Sequence, residues 1–265
     1  MGRYALITGA SSGIGEAMAR HLAAQGHDVG LCARRKEKLD ALAQELQTTH
    51  GIKADVFAGD LAKPGSAARL LTKIAAKNRH VDILVNNAGL TVSQSFARTS
   101  LEHQLAFTEL TIVTPTVLAH GLLPAMLETG YGRIMNVSSV MALSSGGKGH
   151  TLYPASKAYL LKFSQSLNAE VKDRGVHVSA VLPGVVKTDF QIANGMGDAH
   201  SVSGSPFAQT PEHVARAACQ GCERGKEIII PGLSAKLMAG FLRYTPEPLL
   251  RALTRPVAAK HYIGD

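Results

Sequence analysis

The feature that most restricts this fold is a regular alternation of short apolar runs with longer segments of helical period. Runs at 4–8, 28–33, 53–58, 83–86, 134–137, 176–182 and 227–230 read as strands. Segments from the first glycine-rich turn to about Gln25, then 36–49, 66–78 and about 101–127, read as helices. Two more helices are expected, one opening at Tyr153 and one starting at Thr210-Pro211-Glu212. Parallel strands need a crossover long enough to hold a helix, and helices packed on both faces make such strands apolar throughout. The pattern therefore predicts an α/β class fold, a Rossmann-like doubly wound parallel sheet flanked by helices on both faces. A chain of 265 residues can bury one full core, and no repeat or linker divides it. One domain is expected, with 1–232 as its main body and 233–265 as a C-terminal helical extension.

The turn after the first strand carries the first chemistry. Thr8-Gly9-Ala10-Ser11-Ser12-Gly13-Ile14-Gly15 follows a strand and opens a helix. Its three glycines permit a tight turn, close backbone approach and free amides at the helix start, a geometry that suits a pyrophosphate. The spacing is Gly-x-x-x-Gly-x-Gly rather than Gly-x-Gly-x-x-Gly, and a glycine turn without a ligand is the alternative.

Tyr153 and Lys157 lie four residues apart in a helical segment and share one face. A free tyrosine has a pKa of about 10, too high for acid–base work at neutral pH, and a neighbouring ammonium is expected to lower it. Alone, Tyr-x-x-x-Lys is a common surface pattern; its weight depends on what accompanies it.

Together these motifs resemble the short-chain dehydrogenase/reductase family over nearly the whole chain, from Tyr4 to about Gly232. Thr8–Gly15 is similar to the family's cofactor turn, with Gly9, Ser11, Ser12, Gly13, Ile14 and Gly15 as its candidates. Asn86, Asn87, Ala88 and Gly89 resemble its Asn-Asn-Ala-Gly segment. Ser139 fits its serine after the fifth strand, with Ser138 as an alternative, because the loop to Tyr153 is one residue longer than usual. Pro183, Gly184, Val186 and Thr188 resemble the segment beside the nicotinamide, and Asp60 with Leu61 the adenine contact. For Asp60 a helix N-cap is the other reading.

The resemblance implies a reversible hydride transfer between a nicotinamide cofactor and a carbonyl or alcohol. Tyr153 would protonate the developing alkoxide, Ser139 would hydrogen-bond the same oxygen, and Lys157 would hold the ribose hydroxyls. Asn86 and Thr188 would contact the adenosine side and the carboxamide. Many members place an asparagine in the long helix to support a proton-relaying water; here that position falls on Thr111. NADP is expected over NAD, because Ala33 stands where an NAD site offers a carboxylate, and Arg34 and Arg35 follow it. Arg34 is the expected partner of the 2′-phosphate. Leu90, Val92, Met141, Leu143, Phe190 and Ile192 would line an apolar substrate pocket, with 194–205 as a lid. A cofactor-binding sensor or scaffold without turnover, and a lipid reductase at a membrane surface, are the rival readings.

Composition narrows the partners. The formal charge is +8, but the cations are scattered without interleaved aromatics, which argues against nucleic acid. The three cysteines form no disulfide framework and suit a reducing cytoplasm; Cys219 and Cys222 read as packing residues rather than half of a metal site. No metal is expected. Met1-Gly2-Arg3 leads straight into an apolar strand without a secretory or myristoylation pattern, and no apolar run is expected to approach the length of a membrane span. A homodimer or homotetramer is expected. In the extension, Leu233, Leu237, Phe241 and Leu242 recur at helical spacing, and Leu249, Leu250 and Leu253 suggest a second helix. Lys236, Arg243, Arg251, Arg255 and Lys260 outnumber Glu247 and Asp265. Packing on the domain or on a neighbouring subunit is the favoured reading, and peripheral membrane contact the other.

Overall fold

The computed structural model describes residues 2–90, 95–146, 151–188 and 207–250. Among them the strands β1 (Tyr4–Thr8), β2 (Asp28–Ala33), β3 (Ala54–Ala58), β4 (Ile83–Asn86), β5 (Gly132–Val137), β6 (Val176–Val181) and β7 (Ile228–Ile229) form one sheet. Their order is β3-β2-β1-β4-β5-β6-β7, and every pairing is parallel. Leu6 sits between Gly30 of β2 and Leu84 of β4. The chain therefore reverses direction across the sheet between β1 and β4. In doubly wound sheets the ligand crevice opens at such a point, beyond the carboxyl ends of the strands.

Side chains alternate along each strand, so both faces fill. Ala5, Ile7, Val29, Leu31, Val85 and Val137 pack on α1 (Gly13–Ala24), α2 (Lys36–His50) and α7 (Pro211–Glu223). Tyr4, Leu6, Phe57, Leu84, Ile134 and Val178 face α3 (Ser66–Ala76), α5 (Thr114–Thr129) and α6 (Leu152–Val171). Each fully buried Leu, Ile or Met contributes about 1.5–3 kcal/mol, so these two layers hold the crevice rigid.

Three expectations need correction. The long helix predicted over 101–127 is interrupted: α4 (Leu101–Thr108) and α5 are joined by a π-helical turn at Glu109–Val113. Pro115 explains the widening, because proline donates no N–H and its ring crowds the carbonyl four residues earlier, at Thr111. This run, Leu101–Thr129, is also long and apolar enough to cross a membrane by length and composition, contrary to the sequence reading. It packs against α3, α6 and β5, as a core helix does. The third concerns the extension. α8 (Leu233–Tyr244) buries Ala235 and Ala239, while Leu233, Leu237 and Phe241 of the predicted stripe are exposed. Of that stripe, Leu242 alone is partly buried against the domain. Helical backbone resumes at 247–250; Leu253, Arg251, Arg255 and Lys260 lie outside the described residues.

Candidate active site

The crevice at the β1–β4 switch point is organised by the hydroxyl of Thr8. Its Oγ1 donates to the Val85 carbonyl (3.1 Å) and accepts from the backbone N–H groups of Asn87 and Ala88 (3.0 Å each). The Asn87 side-chain amide donates back to the carbonyls of Thr8 (3.0 Å) and Gly9 (3.3 Å). The glycine turn and the Asn86–Gly89 segment are therefore one clamped unit. Gly9 and Gly13 have φ of 68° and 58°, a region L side chains avoid. At Gly15 a Cβ would run into the Gly9 carbonyl and the Asn87 amide. The turn thus brings bare backbone to the start of α1.

That helix start accepts no side-chain cap. Ser12 occupies the N-cap in extended conformation without bonding the helix amides. Its hydroxyl instead accepts from the Arg35 guanidinium (2.7 Å), which also donates to the Ser11 hydroxyl (2.9 Å) and carbonyl (3.2 Å). A cation is thereby fixed over uncapped amides, and both attract an anion. Arg35, rather than the expected Arg34, is the residue laid across the turn; Arg34 is exposed beside it. Two adjacent arginines were visible in the sequence, but not which would fold back. Thr188 closes the far side, its Cγ2 lying 3.0 Å from where a Gly13 Cβ would stand.

The catalytic candidates converge at the ends of β5 and α6. Ser139 is buried and caps the 3₁₀ turn Val140–Leu143, accepting from the Met141 N–H at 3.1 Å. It also faces Tyr153, close enough to oppose part of the rise that burial imposes on that tyrosine's pKa. Ser138 is spent elsewhere, donating to the Lys157 carbonyl at 2.7 Å, so geometry selects Ser139 as the serine facing the tyrosine. Lys157 is buried, its Nζ donating to the Val137 carbonyl (2.9 Å) and lying 5.6 Å from the Tyr153 ring centre. Burial pushes the Lys157 ammonium down to about 8. Burial also raises the Tyr153 pKa, with Ser139 opposing it. The expected lowering of Tyr153 by the ammonium is thus not what this structure holds: desolvation by burial is the largest influence on the phenol and raises its pKa.

Other predicted positions fall differently. The Thr111 hydroxyl donates its one proton to the Phe107 carbonyl (2.7 Å) inside the helix. Pro115 has no N–H to offer, so the Thr111 carbonyl lacks the donor that a regular α-helix would supply. The π turn that carries it packs against α6. Asn86 points into the protein, not toward an adenosine. Its Nδ2 donates to Asn136 Oδ1 (2.8 Å), whose own amide donates to Ser164 (2.9 Å), while Asn86 Oδ1 has no partner among the described residues. Asp60 caps the turn at Ala62 N (3.0 Å) rather than a helix, since α3 begins after Gly65. Leu61 is buried in the core, Ala88 is partly buried beside it, and Gly89 follows at the crevice. The Pro183 carbonyl accepts from Val140 N (3.0 Å), Gly184 packs on Ala235, and Val186 pairs with Gln209. Leu90, Met141 and Leu143 are described; Val92, Phe190, Ile192 and the predicted lid at 194–205 lie outside the described residues. Missed altogether were the Thr8 clamp and the Asn136–Ser164 brace, whose only sequence signal is a polar residue ending or interrupting a buried strand.

The residues present fit a dinucleotide: a cradle only glycine can form, uncapped helix amides, a fixed guanidinium, and a tyrosine and lysine opening on the same crevice. A cavity of about 220 Å³ lies instead at the amino ends of the strands, beside Ile83, Arg133, Cys219 and Cys222. Both thiols there are buried and pushed up to about 12, which leaves them inert.

The family described as short chain dehydrogenase matches residues 3–197. Nodulation protein G of Rhizobium sp. (strain N33) is 41% identical over 187 residues, covering 71% of this chain and 74% of that protein. The solved short-chain dehydrogenase from Sphingobium yanoikuyae in complex with NADPH is 32% identical, with a TM-score of 0.80, over 92% of this chain and 97% of the other. The bulky-bulky ketone specific alcohol dehydrogenase from Comamonas testosteroni is 28% identical, with a TM-score of 0.76, over 99% and 95%.

Proposed function

Because this chain belongs to the short-chain dehydrogenase/reductase family, an oxidoreductase family using a nicotinamide cofactor, we propose that it reduces a bulky apolar ketone or aldehyde with NADPH. The observation that carries this reading is Ser139 facing Tyr153, with Lys157 one helical turn away and its Nζ 5.6 Å from the Tyr153 ring centre, at the switch-point crevice. The cofactor supplies the hydride that reaches the carbonyl carbon. The Gly9–Gly15 turn and the amides of α1 hold its pyrophosphate, Arg35 with Arg34 its 2′-phosphate, Asp60 and Leu61 its adenine, and Thr188 its carboxamide. Lys157 keeps donors free for ribose hydroxyls after bonding Val137.

Tyr153 transfers its phenolic proton to the carbonyl oxygen as the alcohol forms, and Ser139 donates to the same oxygen. Tyr153 carries its proton at neutral pH, the state that the reductive direction requires, and burial tightens its hold on that proton, so transfer is drawn by the strongly basic developing alkoxide. The missing carboxylate after β2 supports NADP over NAD, as does the NADPH in the Sphingobium relative. The apolar candidates Leu90, Met141 and Leu143 and the Comamonas relative's bulky ketones support the substrate class. The working form is a cytoplasmic homodimer or homotetramer. The test is a ketone panel read by loss of nicotinamide absorbance. Tyr153→Phe loses at least about a hundredfold in turnover while NADPH binding stays; Arg35→Ala weakens NADPH but not NADH. A Tyr153→Phe enzyme near wild-type rate would defeat the mechanism, and equal use of both cofactors would defeat the preference.

A further inference from the structure

α8 is built inside out for a helix that only closes a soluble domain. Its buried positions are Ala235 and Ala239, packed with Val140, Leu161 and Leu182. Its large side chains face outward: Leu233 is 72% exposed, Leu237 66%, Phe241 47% and Tyr244 78%, with Met238 beside them. At ~100° per residue these five fall within an arc of roughly 140°. Phe207 extends the patch, its carbonyl accepting from Ser234 Oγ of the same helix (3.1 Å). Both cations of the helix, Lys236 and Arg243, lie together on one flank of this arc, and no residue of Leu233–Tyr244 is acidic.

We propose that this face docks the enzyme on an anionic lipid surface. Its charge decides between occupants. A two-fold contact between antiparallel copies of α8 would set the Lys236 and Arg243 flank against its equivalent, with no carboxylate on the helix to neutralise it. An anionic bilayer satisfies both parts: the apolar arc enters the headgroup boundary, while the two long cationic side chains reach the phosphates at its edge. The inner side of α8 packs on the turn that follows Ser139 and on Gly184. A docked surface therefore lies beside the site's mouth. Resting on the reductase reading above, the substrate class is a carbonyl compound partitioned into the bilayer.

The experiment is co-sedimentation of the full chain with phosphatidylcholine vesicles, with and without phosphatidylglycerol. The wild type pellets with the anionic vesicles, and salt releases it. Leu237→Glu/Phe241→Glu and Lys236→Glu/Arg243→Glu each weaken binding by about tenfold or more, with NADPH-dependent reduction of a water-soluble ketone unchanged. All four side chains are exposed, and retained NADPH binding certifies that the variants fold. A wild type left in the supernatant of both vesicle sets overturns the proposal. Equal binding to both sets overturns its anionic part. A native mass that falls when Leu237 and Phe241 are replaced makes a second copy the occupant and also overturns it. Vesicle binding by a protein that reduces no ketone would sink the reductase reading and leave the docking face standing.

Discussion

Thr8→Val should separate the clamp from the rest of the crevice. The side chain is 1% exposed and valine reproduces its shape, so the substitution deletes one hydroxyl and little else. Three backbone groups lose their partner: the Val85 carbonyl and the N–H groups of Asn87 and Ala88. An unsatisfied buried polar group costs about 1–3 kcal/mol. The two amides lie at the partly buried rim, where water can replace the hydroxyl, so the low end applies to them. The carbonyl is deep, but a carbonyl oxygen has two lone pairs and loses only one bond. The expected loss is about 2–3 kcal/mol in total. Thr8→Ser keeps the hydroxyl and removes a methyl, which costs less than about 1.5 kcal/mol. Urea unfolding with an unchanged slope reads the difference, and fluorescence titration reads NADPH affinity. Because the same hydroxyl sets the glycine turn against Asn87, Thr8→Val should also weaken NADPH by about tenfold, equivalent to 1.4 kcal/mol. If Val and Ser variants agree within about 0.5 kcal/mol and bind NADPH equally, the clamp does not organise the site.

Other outcomes follow from the same geometry. Ser139→Ala should lower turnover by about 10²-fold or more and cost about 1 kcal/mol of stability through the lost Met141 cap, whereas Ser138→Ala should lower stability through its lost bond to the Lys157 carbonyl and leave turnover much closer to wild type; kinetics and urea titration on both variants check the assignment, and a larger turnover loss in Ser138→Ala would overturn it. Thr111→Val should leave the pH–rate profile close to wild type, because the hydroxyl already donates its one proton to Phe107; a profile displaced by the substitution would mean that the hydroxyl handles protons after all. Lys157 titrates near 8 in the folded protein, below its unfolded value of about 10.4. The unfolded chain therefore binds more protons between those values, and the Lys157 contribution to stability rises with pH across that window. Lys157→Met should abolish this rise, and a wild-type-minus-variant stability difference flat from pH 8 upward would refute it.

Local chemistry carried much of this protein's organisation. Alternating apolar runs and helical segments predict a parallel sheet because a strand buried on both faces and a crossover helix each leave a periodic trace. Glycines at 9, 13 and 15 predict a backbone cradle because no other residue tolerates those dihedrals and approaches. The four-residue interval between Tyr153 and Lys157 predicts a shared helical face. Each depends on neighbours within a few residues, which is why sequence alone sufficed.

The tertiary structure decided what depends on partners distant in the chain. Ser138 and Ser139 are chemically identical neighbours; only the approach of α6 gives one the Lys157 carbonyl and the other Tyr153. Arg34 and Arg35 differ in which can reach Ser11 and Ser12, some 23 residues earlier. The direction of the Tyr153 shift is set by desolvation, a property of the packed core and not of the four-residue interval to Lys157. The outward turn of Leu233, Leu237 and Phe241 was equally hidden. A helical stripe states that one face is apolar, and only the small space left against Val140 and Gly184, which admits Ala235 and Ala239, determines that the alanine face goes in.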